Sequence, residues 1–111
     1  AFMEQELFDE AIEEFLLSVK SESLELDSYV ALAICYKAIK KSEEAMRYLN
    51  KAFTKVKEGS FQYYSLKYEE AELLQMKGES KKALKIFQEI KKWNPDYRDV
   101  QDKIKKLKKS G

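Results

Sequence analysis

The chain has no histidine, a single cysteine at position 35, a single proline and three glycines in 111 residues. Without histidine, neither a serine nor a cysteine triad can be assembled, and the commonest zinc-ligand sets are out of reach. A lone cysteine forbids an internal disulfide, which fits a reducing compartment, so a cytoplasmic location is expected. Glycines at 59, 78 and 111 build no phosphate-binding loop. No apolar run approaches the roughly 18 residues that span a bilayer, and the N-terminus lacks a basic segment leading into a hydrophobic one. A surplus of one charge is missing too: the formal net charge is +1, which gives no general attraction to nucleic acid or to an anionic membrane. The expectation is a non-enzymatic chain without cofactor, metal site, nucleic-acid partner or membrane segment.

What is present is charge in both signs, 37% of residues, together with 44% hydrophobic residues. With so few helix breakers, this composition predicts an all-α protein, and the length is one domain's worth. The signs are segregated along the chain. Residues 1–27 carry nine acids against Lys20, whereas residues 81–111 carry eleven bases against Glu89, Asp96, Asp99 and Asp102.

Self-similarity is the most informative feature. The segments LFDEAIEEFLLSV, KSEEAMRYLNKAF and ESKKALKIFQEIK align without gaps on Ala11, Ala45 and Ala83, at intervals of 34 and 38 residues. Each alanine is followed four residues later by Phe15, Leu49 or Phe87, and three further on by Ser18, Ala52 or Ile90, which is one face of a helix. Upstream of the second segment, Tyr29, Leu32, Ala33 and Tyr36 have the spacing aromatic-x2-Leu-small-x2-Tyr. Together with Ala45, Leu49 and Ala52 this stretch resembles a complete tetratricopeptide repeat, with tyrosine for the usual tryptophan and alanine for the usual glycine. The third unit is more divergent: Tyr64, Tyr68, Ala71, Leu74, Gly78, Ala83, Phe87 and Pro95 fit, while Glu70 stands where leucine is expected.

The resemblance implies a right-handed α-α superhelix, a solenoid of about two and a half repeats. Repeat 1 is partial (1–23), repeat 2 covers 24–57, repeat 3 covers 58–95, and a capping helix covers 96–109. Helices are expected at about 4–20, 26–40, 42–57, 60–77, 80–93 and 96–109. Ser42 and Ser80 are the expected N-caps, Gly59 and Gly78 the expected helix ends, and Asn94-Pro95 the last break. In the final helix, Tyr97, Val100, Ile104 and Leu107 make one apolar stripe surrounded by lysines, the pattern of a C-terminal cap. The first repeat shows only its second helix, with Ala1 to Met3 as the end of a preceding one. The chain therefore reads as a piece of a longer protein. Phe2, Leu7, Phe8 and Ile12 then belong to a face that another surface must cover, and they are candidate self-association residues for a homo-oligomer.

Other motifs have plain structural readings. Cys35 lies within the packing segment Leu32 to Tyr36, where a small apolar residue is wanted, and is expected to be inert core. Glu13-Glu14, Glu43-Glu44 and Glu69-Glu70 are sequence neighbours that point in different directions on a helix, as on a solvated face. KIKKLKK at 103–109 suits the outer face of a capping helix. Phe61, Tyr63, Tyr64 and Tyr68 have helical spacing without interleaved bases, which favours core and groove over nucleic-acid stacking.

Family members bind extended or helical peptides in a concave groove lined by the first helix of each repeat. Carried over, that implicates Asp27, Val30, Ile34 and Lys37 in repeat 2, and Tyr64, Tyr68, Glu72 and Gln75 in repeat 3. Co-chaperone members hold a C-terminal carboxylate with lysines, asparagines and an arginine in that groove. The matching positions here hold Val30, Ala31, Ile34, Ser65 and Glu69, so that clamp is not expected. The expected partner is a protein or peptide with apolar anchors.

Overall fold

A computed structural model of the chain describes the backbone of residues 2–110 and the side chains of residues 4–109. Every regular element among the described residues is helical: α1 (Phe2–Ser18), a short 3₁₀ turn (Glu22–Leu24), α2 (Glu25–Ala38), α3 (Ser42–Phe53), α4 (Phe61–Met76), α5 (Ser80–Trp93) and α6 (Val100–Ser110). Phe2 and Met3 belong to α1 itself rather than to an earlier helix, and Ala1 lies outside the described residues. Two compact units result, Ala1–Lys57 and Glu58–Gly111.

In the first unit α2 packs against both α1 and α3. Burial on two sides explains why α2 has apolar residues around most of its circumference instead of one stripe. Ile12, Leu32 and Cys35 form the buried centre, with Phe8, Ala11, Phe15, Tyr36, Ile39 and Tyr48 packed around it. Tyr36 and Tyr48 stack with centroids 5.7 Å apart and planes only 5° from parallel, which fixes α3 across α2. Glu25 ties this unit together at its polar edge, accepting from the Tyr29 hydroxyl at 3.1 Å and pairing with Lys55 at 3.2 Å.

In the second unit α5 packs against both α4 and α6. Its core joins Ala71 of α4, Ala83, Phe87 and Ile90 of α5, and Val100, Ile104 and Leu107 of α6. Two fully buried alanines, Ala71 and Ala83, let α4 and α5 approach closely. The apolar stripe of α6 is thus buried against α5, with Val100 fully buried.

The two interhelical turns at 39–41 and 77–79 are the same structure. Lys41 N–H donates to Tyr36 and Lys40 N–H to Lys37; Glu79 N–H donates to Leu74 and Gly78 N–H to Gln75. This double closure ends a helix on one left-handed residue, which is Gly78 (φ +81°) in one unit and Lys40 (φ +63°) in the other. The tight turn places Lys41 and Glu79 at the cap positions, so Ser42 and Ser80 are the first helical residues and neither side chain caps. The serine that does cap is Ser60, whose hydroxyl accepts from Tyr63 N–H at 3.1 Å.

Two boundaries differ from the expected ones by four residues, the others by at most two. α3 stops at Phe53 rather than 57, where the Thr54 hydroxyl donates to the Lys51 carbonyl at 2.6 Å and three-residue turns replace the helical ladder. α6 starts at Val100 rather than 96. Asn94 is extended before Pro95, its side chain accepts from Asp96 N–H at 3.0 Å, and Arg98 is left-handed at φ +44°, a conformation that cannot lie within a helix.

Candidate functional site

On α2 the positions 27, 30, 34 and 37 recur at three- and four-residue intervals and fall on one strip, away from the buried Ser28, Leu32, Ala33 and Cys35. Asp27 is exposed, Val30 and Lys37 are half-buried, and Ile34 keeps 42% of its surface in contact with water. An isoleucine that open, next to a half-buried valine, is the main apolar exposure on this strip.

The corresponding strip of α4 is already occupied. With the 38-residue offset between repeats, Ser65, Tyr68, Glu69 and Glu72 stand where Asp27, Val30, Ala31 and Ile34 stand in α2. The segment leading into α6 lies across them. Arg98 donates to Glu69 at 3.1 Å and to the Ser65 hydroxyl at 3.4 Å, with its guanidinium 4.7 Å from the Tyr68 ring centre and 5.2 Å from that of Tyr97. The Tyr68 hydroxyl donates to Asp99, and Lys103 pairs with Glu72 at 3.2 Å. Burial and then the bond to Asp99 raise the Tyr68 pKa well above the ordinary tyrosine value. Burial pulls the Arg98 pKa down, but the Glu69 hydrogen bond and the neighbouring tyrosines more than offset it, so Arg98 stays a cation.

Of the groove residues expected in repeat 3, Tyr68 is therefore a core residue with 5% exposure and Glu72 is held in an ion pair, because the chain's own C-terminal segment covers both. Gln75 is half-buried, and Tyr64 is stacked on Trp93, centroids 4.3 Å apart and 15° from parallel. Among the self-association candidates, Leu7 is 65% exposed, Phe8 is half-buried against α2, and Ile12 is core at 6% exposure; the Phe2 side chain lies outside the described residues. Leu7, Phe8, Ala11 and Cys35, with Glu4, line an open pocket of about 470 Å³ on the first unit. Cys35 is only 7% exposed, and burial pushes its thiol pKa up, away from thiolate reactivity.

Sequence reasoning missed Arg98 and Trp93. Nothing in the local sequence marks Arg98 as left-handed, so its place over Tyr68 depends on a turn that only packing fixes. Trp93 follows Phe87 and Ile90 at successive three-residue intervals, a signal that could have tied it to the aromatics of α4. Among the described residues no cluster of acids and cysteine could hold a metal ion, and no helix is long and apolar enough to cross a membrane.

The family model described as Tetratricopeptide repeat protein 21 ARM repeat matches residues 5–107, almost the whole chain. No curated protein matches the chain.

Proposed function

Since the chain belongs to the tetratricopeptide repeat protein 21 ARM-repeat family, we propose that it is a non-catalytic scaffold that docks a peptide segment of a partner protein along α2. Helical repeats of this kind typically mediate protein interactions, through faces that stacking leaves uncovered. The observation that carries the proposal is Ile34, 42% exposed in the middle of the Asp27, Val30, Ile34, Lys37 strip. The second unit indicates what such a strip accepts: there the equivalent face takes a short segment bringing an arginine onto a tyrosine and a lysine onto a glutamate. On α2 the groups are an apolar pair, Val30 and Ile34, flanked by Asp27 and Lys37. That combination suits an extended or helical peptide with an aliphatic anchor and mixed charge.

A peptide library selected against the intact chain tests this. Selected peptides should lose at least about tenfold in affinity for Ile34→Asp, a change at an exposed position, and for Val30→Asp at the half-buried position beside it, with far-UV dichroism checking that both keep their helix content. Tyr68 is unsuitable as the probe because its replacement disturbs the core. Undiminished affinity in both variants would remove α2 as the docking strip.

A second reading is self-assembly through the ends of the chain. It is motivated by Leu7 and Leu17, 65% and 68% exposed on α1, and by the acidic N-terminal and basic C-terminal segments. Two copies of α1 face to face would bring six carboxylates against six, from Glu4, Glu6, Asp9, Glu10, Glu13 and Glu14 on each. A head-to-tail contact between opposite charges is the more favourable arrangement.

A further inference from the structure

The second unit holds an open pocket of about 520 Å³ at the end of the α4–α5 hairpin, distant along α4 from the turn at 77–79. Its walls are aromatic: Tyr63 and Tyr64 from the first turn of α4, and Trp93 from the last turn of α5. Glu58 and Glu89 line it as well, and Lys92 is the one cation in the lining. Glu58, Glu89 and Lys92 are exposed. Tyr63, Tyr64 and Trp93 are each only half-buried. We propose that this pocket is a subsite for a guanidinium group, an arginine side chain of a protein partner, held over the Tyr64–Trp93 pair and bonded by Glu58 and Glu89.

The chemistry follows from the two kinds of wall. Aromatic faces are electron-rich and attract a cation, and a planar guanidinium additionally stacks on them, being weakly hydrated for its charge. Carboxylates beside the ring supply the charge-assisted hydrogen bonds that a stacked guanidinium still needs at its edge. The lining holds two carboxylates against one ammonium, and the Lys67 ammonium beside it is paired with Glu70 at 3.4 Å, so the surroundings stay net negative. A neutral aromatic or aliphatic ligand would leave both carboxylates facing it unused, and an anion would meet them directly.

Two features of the same unit support a cation. Arg98 already makes this arrangement internally, its guanidinium over Tyr68 and Tyr97 and bonded to Glu69. Lys67 stands beside the pocket with its ammonium 5.6 Å from the Tyr63 ring centre. Although burial works against its charge, Glu70, Tyr63 and Glu89 together favour the charged form. Two of those three neighbours are pocket residues. The subsite does not depend on the α2 strip, since every residue in it belongs to the second unit.

Trp93 is the only tryptophan in the chain, so its indole N–H resonance and its emission report on the second unit, and ligand-induced changes in them on the pocket it lines. The probe is the tripeptide acetyl-Ala-Arg-Ala-amide, with the citrulline analogue, equal in shape and without charge, as its control. The intact chain is expected to give a saturable shift of the Trp93 indole signal with the arginine peptide and at least about tenfold weaker binding of the citrulline peptide. Glu58→Gln with Glu89→Gln should weaken the arginine peptide about tenfold, whereas Lys92→Ala should strengthen it. All three positions are exposed, so far-UV dichroism and melting temperature are expected to stay at wild-type values. Equal response to both peptides, no saturable response, or full affinity in the double variant would overturn the subsite while leaving the α2 proposal standing. Loss of peptide binding on Ile34→Asp with the Trp93 response intact would locate a failure in neither.

Discussion

Lys40 and Arg98 both hold a left-handed backbone without being glycine, at φ +63° and +44°, and they do so for opposite reasons. Lys40 is exposed and its side chain serves nothing in the turn; the equivalent residue of the other repeat is Gly78. A side chain there costs about 1–2 kcal/mol of backbone strain, partly offset by the lower unfolded-state entropy of lysine. Lys40→Gly is therefore expected to stabilise the chain by about 0.5–1 kcal/mol in urea denaturation. Arg98→Gly relieves the same kind of strain but removes the guanidinium from Glu69, Ser65, Tyr68 and Tyr97. Glu69 is 7% exposed, and depriving a buried carboxylate of that cation should cost about 1–3 kcal/mol net. The same substitution thus carries opposite signs at the two sites. A stabilised Arg98→Gly variant would show that the arginine network contributes less than the strain it imposes.

Among elements, α6 depends on its polar bonds to α4 as well as on its apolar stripe. Tyr68 reaches Asp99 just before the helix, and Lys103 reaches Glu72 from within it. The pH response of this junction has a definite sign. Because the folded chain raises the Tyr68 pKa above its unfolded value of 10.0, the neutral hydroxyl is favoured by folding. Its contribution is complete below pH 10.0 and is lost as the pH rises above it toward the folded value. Trp93 emission, which reports the second unit, should show a melting temperature that falls steeply above about pH 10, the reference tyrosine value. Tyr68→Phe should lower stability by about 1 kcal/mol at neutral pH and flatten that alkaline limb. An unchanged limb would assign it to other tyrosines, of which Tyr29 and Tyr36 in the first unit also have raised values.

For the whole molecule, a net charge of +1 conceals nine acids in the first 27 residues and eleven bases in the last 31. Contact between the acidic end of one copy and the basic end of another would be screened over roughly 10 Å at 0.1 M salt. If head-to-tail assembly occurs, the mass measured by light scattering should be highest at low salt and fall toward the monomer as salt rises. A mass that is independent of salt and concentration would discard assembly through the charged ends and leave ligand docking as the role of the exposed surfaces.

The sequence by itself determined the local features: helix identity, the repeat spacing, the turn at Gly78, the break at Asn94-Pro95 and the apolar stripe of α6. Each depends on interactions within a few residues, or on a periodicity that a helix turns directly into a face. The strip of Asp27, Val30, Ile34 and Lys37 came from the family resemblance, which carries the groove positions of a repeat's first helix onto α2, and helical spacing puts those four residues on one face. Tertiary structure decided which equivalent faces stay open. Tyr68 and Glu72 are covered by Arg98, Asp99 and Lys103, about thirty residues downstream, through a left-handed turn that no pattern announces. It also decided that serines 42 and 80 do not cap their helices, since the preceding left-handed residue sets the cap one position earlier. The pocket beneath Trp93 likewise joins the two far ends of a hairpin, a proximity set by how α4 and α5 pack and not by anything adjacent in the chain.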